Sequence, residues 1–184
     1  RACAASLPDR FYIKREKTNN FRVFQAETEG ALQGEGMAFF IMSDQPKPQS
    51  WCRLKNLHMV YRPSDYAGLA TELIEFLRGN GLAPGDVDVL VNGGSGDAVR
   101  DRGNLDLENN YFDHATAVRF KHLTGEYDTA SSFGLWLGAK ILKTQIVPQA
   151  VLASPVSTHG PLKTALFCNH YLGKYYSFFL LMRE

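Results

Sequence analysis

Val87-Asp88-Val89-Leu90-Val91-Asn92-Gly93-Gly94-Ser95-Gly96-Asp97 carries a short apolar run straight into a glycine-rich loop. The run follows the turn-forming Pro84-Gly85-Asp86 and is rich in β-branched residues, so it reads as a strand. A strand that ends in such a loop is where α/β folds place their chemistry. Two familiar loop patterns fail here. A dinucleotide loop of the GxGxxG form needs glycine where Val99 stands, and a hydrolase elbow of the GxSxG form needs it at Asp97. Taken alone, the glycine cluster is a tight turn that requires positive φ and close backbone approach.

Upstream, Ser64 or Asp65 can cap a helix in which Leu69, Leu73, Ile74, Phe76 and Leu77 recur at helical spacing until Gly79 or Gly81. Before it, Trp51–Tyr61 alternates well enough to predict a strand, although Arg53 interrupts the pattern. Gly34-Glu35-Gly36 opens a further apolar run, Met37-Ala38-Phe39-Phe40-Ile41-Met42, closed by Ser43-Asp44-Gln45-Pro46-Lys47-Pro48. Its length and aromatic content predict a buried strand, with Phe39 and Phe40 placed in the centre of the sheet. Phe11 to Gln25, with its Asn19-Asn20 turn signal, is an irregular or hairpin-like lead-in.

Downstream, Leu105–His114 is predicted helical and Ala117–Phe120 extended. A strongly apolar helix, buried all round, is expected from Thr129 or Ser131 through Gln145. Val147–Lys163, with Pro148, Pro155 and Gly160, is expected as a long loop. Two last strands follow, Thr164–Cys168 and Tyr175–Met182, with Asn169–Lys174 as the turn between them. The stretch Tyr175–Phe179 is expected near the sheet centre. Between Phe120 and the apolar helix, Lys121-His122-Leu123-Thr124-Gly125-Glu126 holds a cation, an imidazole and a carboxylate. By itself it reads as a solvated turn, or as a carboxylate capping the helix that follows.

With 184 residues, 45% apolar content and no repetitive tract, the chain has the size and composition of one folded domain. Twenty basic residues against nineteen acidic ones, spread along the chain, exclude a dense nucleic-acid footprint. No apolar run approaches the roughly 20 residues of a membrane-spanning helix. Cys3, Cys52 and Cys168 are widely spaced and show no metal-ligand rhythm with the histidines, which fits a reducing cytoplasm and no metal. His58, His114 and His159 are expected as surface or locally bonded side chains. Cys3 lacks the strand-to-helix setting that would activate a thiol. A chain that begins at Arg1 is expected to be a fragment or a processed product.

In order and spacing, these segments resemble the C-terminal half of β-ketoacyl synthases. The matching pieces are Gly34–Phe40, Gly81-Leu82-Ala83-Pro84-Gly85-Asp86-Val87-Asp88, the Gly93–Asp97 loop with Asp101, Lys121–Glu126 leading through Ala130 and Gly134, and the turn at His170–Lys174. The resemblance implies an α/β thiolase-like half-domain with a mixed five-stranded sheet flanked by helices. It places this domain at 34–184 and makes 1–33 a remnant of the preceding half or a connecting segment.

The same resemblance implies a dimer, no cofactor, and as partners an acyl carrier protein with either the N-terminal half of the fold or a ketosynthase subunit. Active relatives use two histidines from this half to stabilise an enolate, and here those positions read Gly93 and Glu126. A glycine side chain donates nothing, and an ionised glutamate side chain only accepts hydrogen bonds, so it repels an enolate. Lys121 matches the lysine that supports the second histidine. The candidate catalytic residues are therefore Glu126, able to carry a proton if burial keeps it protonated, and Lys121. The candidate substrate-binding residues are Gly93, Gly94, Ser95 and His170.

Three functions follow. The chain is a ketosynthase-like acyltransferase of fatty-acid or polyketide-type biosynthesis, or a non-catalytic partner like a chain-length factor, or an unrelated α/β binding domain.

Overall fold

The structure, a computed structural model, describes residues 23–24, 28–154 and 160–184. Most of the lead-in at 11–25, the Cys3 segment, Pro155 and His159 lie outside the described residues.

The predicted strand over 87–91 is β2, Val89–Gly93, with every residue buried. Its side chains alternate between two cores: Leu90 joins the first, while Val89 and Val91 join the second. A strand covered on both faces explains why the sequence there is continuously apolar rather than alternating. Parallel strands flank it, β3 (Thr116–Arg119) on one side and β4 (Thr164–Tyr171) on the other. Beyond β4 lie β5 (Tyr175–Met182) and β1 (Arg53–Tyr61), both paired antiparallel. The order β1-β5-β4-β2-β3 makes the mixed five-stranded sheet that was expected. β4 occupies the centre, and β5 is an interior strand beside it.

On one face lie α1 (Tyr66–Gly79) and α2 (Arg102–Tyr111). Asp65 caps α1 by accepting from the Gly68 N–H at 2.8 Å, and Leu69, Leu73, Phe76 and Leu77 turn inward, as the spacing predicts. On the other face lies α4 (Ala130–Thr144), preceded by the one-turn helix α3 (Lys121–Thr124). α4 approaches the sheet through its glycines. A Cβ on Gly134 would stand 2.5 Å from the Phe167 ring, and one on Gly138 would stand 3.0 Å from Leu181.

The structure corrects the sequence in three places. Residues 37–42 form no strand, and Met37, Phe39, Ile41 and Met42 are largely exposed, so Phe39 and Phe40 are not in the sheet. Helix α4 is buried on one side only, and Phe133, Leu135 and Trp136, although packed against the core, stay half-buried. Leu57, Met59, Tyr61 and Tyr175 likewise stand exposed on β1 and β5, on the face that α4 leaves uncovered. Finally, β4 runs to Tyr171, and the turn shrinks to a tight reversal in which Leu172 and Gly173 both take positive φ.

Gly134→Val forces a branched side chain against Phe167 and Phe120. It should lower unfolding free energy by about 2 kcal/mol or more in a denaturant titration.

Candidate functional site

The loop after β2 is held by two buried carboxylates. Asp101, just ahead of α2, reaches back rather than capping that helix. Its Oδ1 accepts from the Ser95 N–H at 2.9 Å, the Ser95 hydroxyl at 3.0 Å and His170 Nε2 at 2.8 Å, and its Oδ2 accepts from the Gly96 N–H at 2.6 Å. Asp97 accepts from the backbone of Gly30, Val99 and Arg100 and pairs with the Arg100 guanidinium. Burial pushes both carboxyls up. These donors outweigh it, led by His170 at Asp101 and by the Arg100 and Gly30 N–H groups at Asp97, and both groups end below the ordinary carboxylate range. Gly96 takes φ +86°, and a Cβ there would strike Val23. The N–H groups of Gly94, Ser95 and Gly96 are thus taken by the Asn92 and Asp101 side chains and are not free to cradle a phosphate.

The second cluster centres on Lys121. Its side chain is 1% exposed, and its Nζ donates to Glu126 Oε2 at 2.7 Å and Asn169 Oδ1 at 3.0 Å. The solvated turn expected over 121–126 is therefore overturned, because an ammonium ion with two oxygen partners can be buried there. Glu126 does not cap α4 either, since its carboxylate is turned to Lys121 and Thr129 holds the cap position, its hydroxyl donating to Gly36 O rather than accepting from the helix. The Glu126 backbone is fixed as well: its N–H donates to Leu32 O at 2.7 Å, and its carbonyl accepts from the Gly34 N–H at 3.1 Å. Gly125, at φ +73°, packs directly on Gly34.

Asn169 joins this cluster to the glycine loop. It pairs with Gly93 across the parallel β2–β4 register, and a Cβ on Gly93 would lie 2.5 Å from Asn169 Oδ1. The room for a side chain at 93 is thus already taken. Next along β4, His170 Nδ1 accepts from the Gly173 N–H at 3.2 Å, so its proton sits on Nε2 and goes to Asp101.

An open cleft of about 400 Å³ lies against this assembly, lined by Glu126, Tyr127, Asp128, Ser131, Asn169, His170 and Tyr171. Of the residues singled out by sequence, Glu126 and His170 line it. Lys121 and Gly93 lie behind Asn169, and Gly94 and Ser95 sit on the Asp101 side, away from the lining. Sequence reasoning missed Asn169 and the linking role of Asp101. The one available signal for Asn169 was its place beside a strand-end glycine, visible only once the β2–β4 register is known.

Neither described cysteine offers a thiolate. Burial, and secondarily Glu184, pushes Cys52 to about 11, and burial, with Glu108, pushes Cys168 higher still. Among the described residues, no group of three or more His, Cys, Asp or Glu could hold a metal ion, and no helix is long and apolar enough to cross a membrane. His58 bonds Glu72 and stacks on Phe76, which is a local role, and half-exposed His114 lies beside Asp113.

No protein-family model and no curated protein sequence matches the chain. Its fold, however, is that of ketosynthase structures. A β-ketoacyl synthase from Burkholderia phymatum superposes with TM-score 0.58 at 8% identity, covering 73% of this chain and 38% of its own. The ishigamide ketosynthase/chain length factor gives 0.57 at 13%, covering 73% and 38%. A type II polyketide acyl-carrier protein in complex with its hexaketide-bound ketosynthase gives 0.56 at 15%, covering 73% and 39%. The chain spans well under half the length of these structures, and the thiolase-like half-domain expected from the sequence is the architecture observed.

Two measurements check the site. Lys121→Met strands the Glu126 carboxylate and removes a donor from Asn169, and should cost about 3 kcal/mol of stability in urea. Asp101→Asn should cost about 2 kcal/mol at neutral pH, because the buried donors lose a charged acceptor. Since the folded Asp101 carboxyl titrates below its unfolded value of about 3.9, its stabilisation is complete above that pH and lost as pH falls through the folded value. The gap in urea midpoint between the native chain and D101N should therefore close on acidification below about pH 4.

Proposed function

We propose that this chain is a non-catalytic partner in a ketosynthase-type assembly of fatty-acid or polyketide-type biosynthesis, the complex as a whole handling acyl-carrier-protein thioesters. One observation carries this reading: three positions that the resemblance ties to the chemistry are already taken up within the chain. Lys121 is bound by Glu126 and Asn169, His170 Nε2–H donates its hydrogen bond to Asp101, and the side-chain room at Gly93 belongs to Asn169. A developing enolate needs preorganised donors without other partners, and a carboxylate at the cleft repels it.

The likeness to a ketosynthase/chain length factor structure and to a carrier-protein complex supports these partners. In this reading 34–184 is the ketosynthase C-terminal-like domain, 1–33 connects it to a preceding half, and the assembly is a cytoplasmic dimer or heterodimer. The enzymatic reading keeps one point in its favour, that Glu126 lines the cleft where a proton could be exchanged.

The two readings separate in a condensation assay with acyl- and malonyl-loaded carrier protein. The chain alone should give no product. It should co-purify with a ketosynthase subunit whose cysteine and two histidines are intact, and Glu126→Gln should leave the rate of that complex within about twofold. Elongation by the chain alone that is abolished in E126Q would overturn the proposal.

A further inference from the structure

Lys121 Nζ gathers Glu126 Oε2 at 2.7 Å and Asn169 Oδ1 at 3.0 Å, so the two oxygens lie no more than about 6 Å apart on one ammonium group. That group donates only, which fixes how both side chains are turned. The Asn169 amide gives its oxygen to Lys121 and directs Nδ2 elsewhere, and Glu126 has Oε1 left over.

These two outer atoms are open. Among the described residues, the buried side-chain atoms without a hydrogen-bond partner are Thr28 Oγ1, Asn104 Oδ1 and His122 Nδ1. Asn169 Nδ2 and Glu126 Oε1 have no partner among the described residues and are not among those buried atoms, so both reach the surface. The cleft of about 400 Å³ is lined by both residues and not by Lys121. Strand parity agrees: Ala165 and Phe167 of β4 belong to the core beneath α4, and Asn169, next on that face, points to the side where Glu126, Tyr127 and Ser131 line the cleft.

One wall of the cleft thus presents an acceptor beside a donor, both on rigid backbone. Glu126 is tied to Leu32 and Gly34, and Asn169 is paired with Gly93 on β2 and Ser177 on β5. A pair held in this way needs no ordering when a ligand arrives. Lys121 strengthens the donor by polarising the amide, and the ionised carboxylate is a charge-assisted acceptor.

Charge narrows the ligand. Lys121 balances Glu126, Asp128 is exposed to solvent, and His170 holds its proton toward Asp101. Among the described residues, no lysine or arginine lines the cleft, so an anion finds no surplus positive charge there. An ammonium ion would face the Asn169 N–H groups. A group with an uncharged oxygen and its own N–H or O–H satisfies both outer atoms.

We propose that Glu126 Oε1 and Asn169 Nδ2 form a two-point recognition edge for an uncharged group carrying a carbonyl oxygen beside an N–H or O–H donor, such as a primary carboxamide or a β-hydroxycarbonyl. The carbonyl oxygen accepts from Asn169, and the ligand's donor goes to Glu126. A trans secondary amide turns its N–H and C=O to opposite edges and does not fit. An enolate does not fit either, because it brings no donor for Glu126. The ligand is held and not condensed, and the assignment stands on the cleft of this chain, independent of the partner reading above.

Titrations of the full chain followed by amide chemical shifts test this, with hexanamide, methyl β-hydroxyhexanoate, N,N-dimethylhexanamide and hexanoate as probes. Hexanamide or methyl β-hydroxyhexanoate should bind at least about tenfold more tightly than N,N-dimethylhexanamide, which keeps the carbonyl and lacks the donor. The tighter of the two identifies the ligand's donor as N–H or O–H. In Glu126→Gln the side-chain oxygen goes to Lys121 and the outer atom becomes a donor, so that preference should shrink to about twofold or less. In Asn169→Asp the outer donor becomes an acceptor, and both donor-bearing probes should weaken by about tenfold or more. Each variant leaves an oxygen for Lys121, and a urea titration checks its fold. No binding of either donor-bearing probe, or affinity equal to that of N,N-dimethylhexanamide, would overturn the edge. A preference unchanged in the folded variants would place binding elsewhere and overturn it too. Hexanoate binding most tightly would make this an anion site and overturn the uncharged class. All of these outcomes leave the partner reading untouched.

Discussion

A buried ammonium group, Lys121 Nζ, is the constraint around which the cleft end of this fold is arranged. An unpaired charge in that position would unfold the neighbourhood, so two oxygens must meet it, and each comes with structural consequences. Glu126 supplies one and in doing so fixes the segment between α3 and α4, whose backbone then captures Leu32 and Gly34. Asn169 supplies the other and stands at the end of the central strand β4, against Gly93. Next to it, His170 passes the order on to Asp101, and Asp101 to the loop after β2. The glycine loop, the wall of the cleft and the backbone at Leu32 and Gly34 are in this sense one connected unit.

Much of the frame was legible in the sequence. The helical recurrence of Leu69, Leu73, Phe76 and Leu77 and the cap at Asp65 defined α1, and the unbroken Val89-Leu90-Val91 run defined a strand covered on both faces. Such local periodicities survive folding because each element must bury the face it already has. The site was less legible, since its content is pairing between distant residues. Nothing near Lys121 in sequence announces Asn169, and a segment reading Asn-His-Tyr-Leu-Gly-Lys has turn composition throughout. Pairing of β4 with both β2 and β5 keeps Asn169 and His170 in the strand and leaves the reversal to Leu172 and Gly173.

The apolar run at 37–42 is the instructive departure. Its composition is that of a strand, but strand formation also needs neighbouring strands, and the five-stranded sheet of this chain is complete without it. β-propensity describes the fit to a sheet and does not supply one. Helix α4 departs from the all-round burial expected of it in a milder way: Phe133, Leu135 and Trp136 stay half-buried, and Ser132, Lys140 and Lys143 are not buried.

The contact between Gly93 and Asn169 also limits how this site can change. Any side chain at 93 collides with an amide that Lys121 is using, and any smaller residue at 169 takes away one of the two groups that keep Lys121 buried. Neither position can change first without a cost in stability, and a change at 126 meets the same lysine. The three positions are thus mutually epistatic. A route from this arrangement to one with donors free for catalysis would have to cross a destabilised intermediate, which makes the present state easier to keep than to leave.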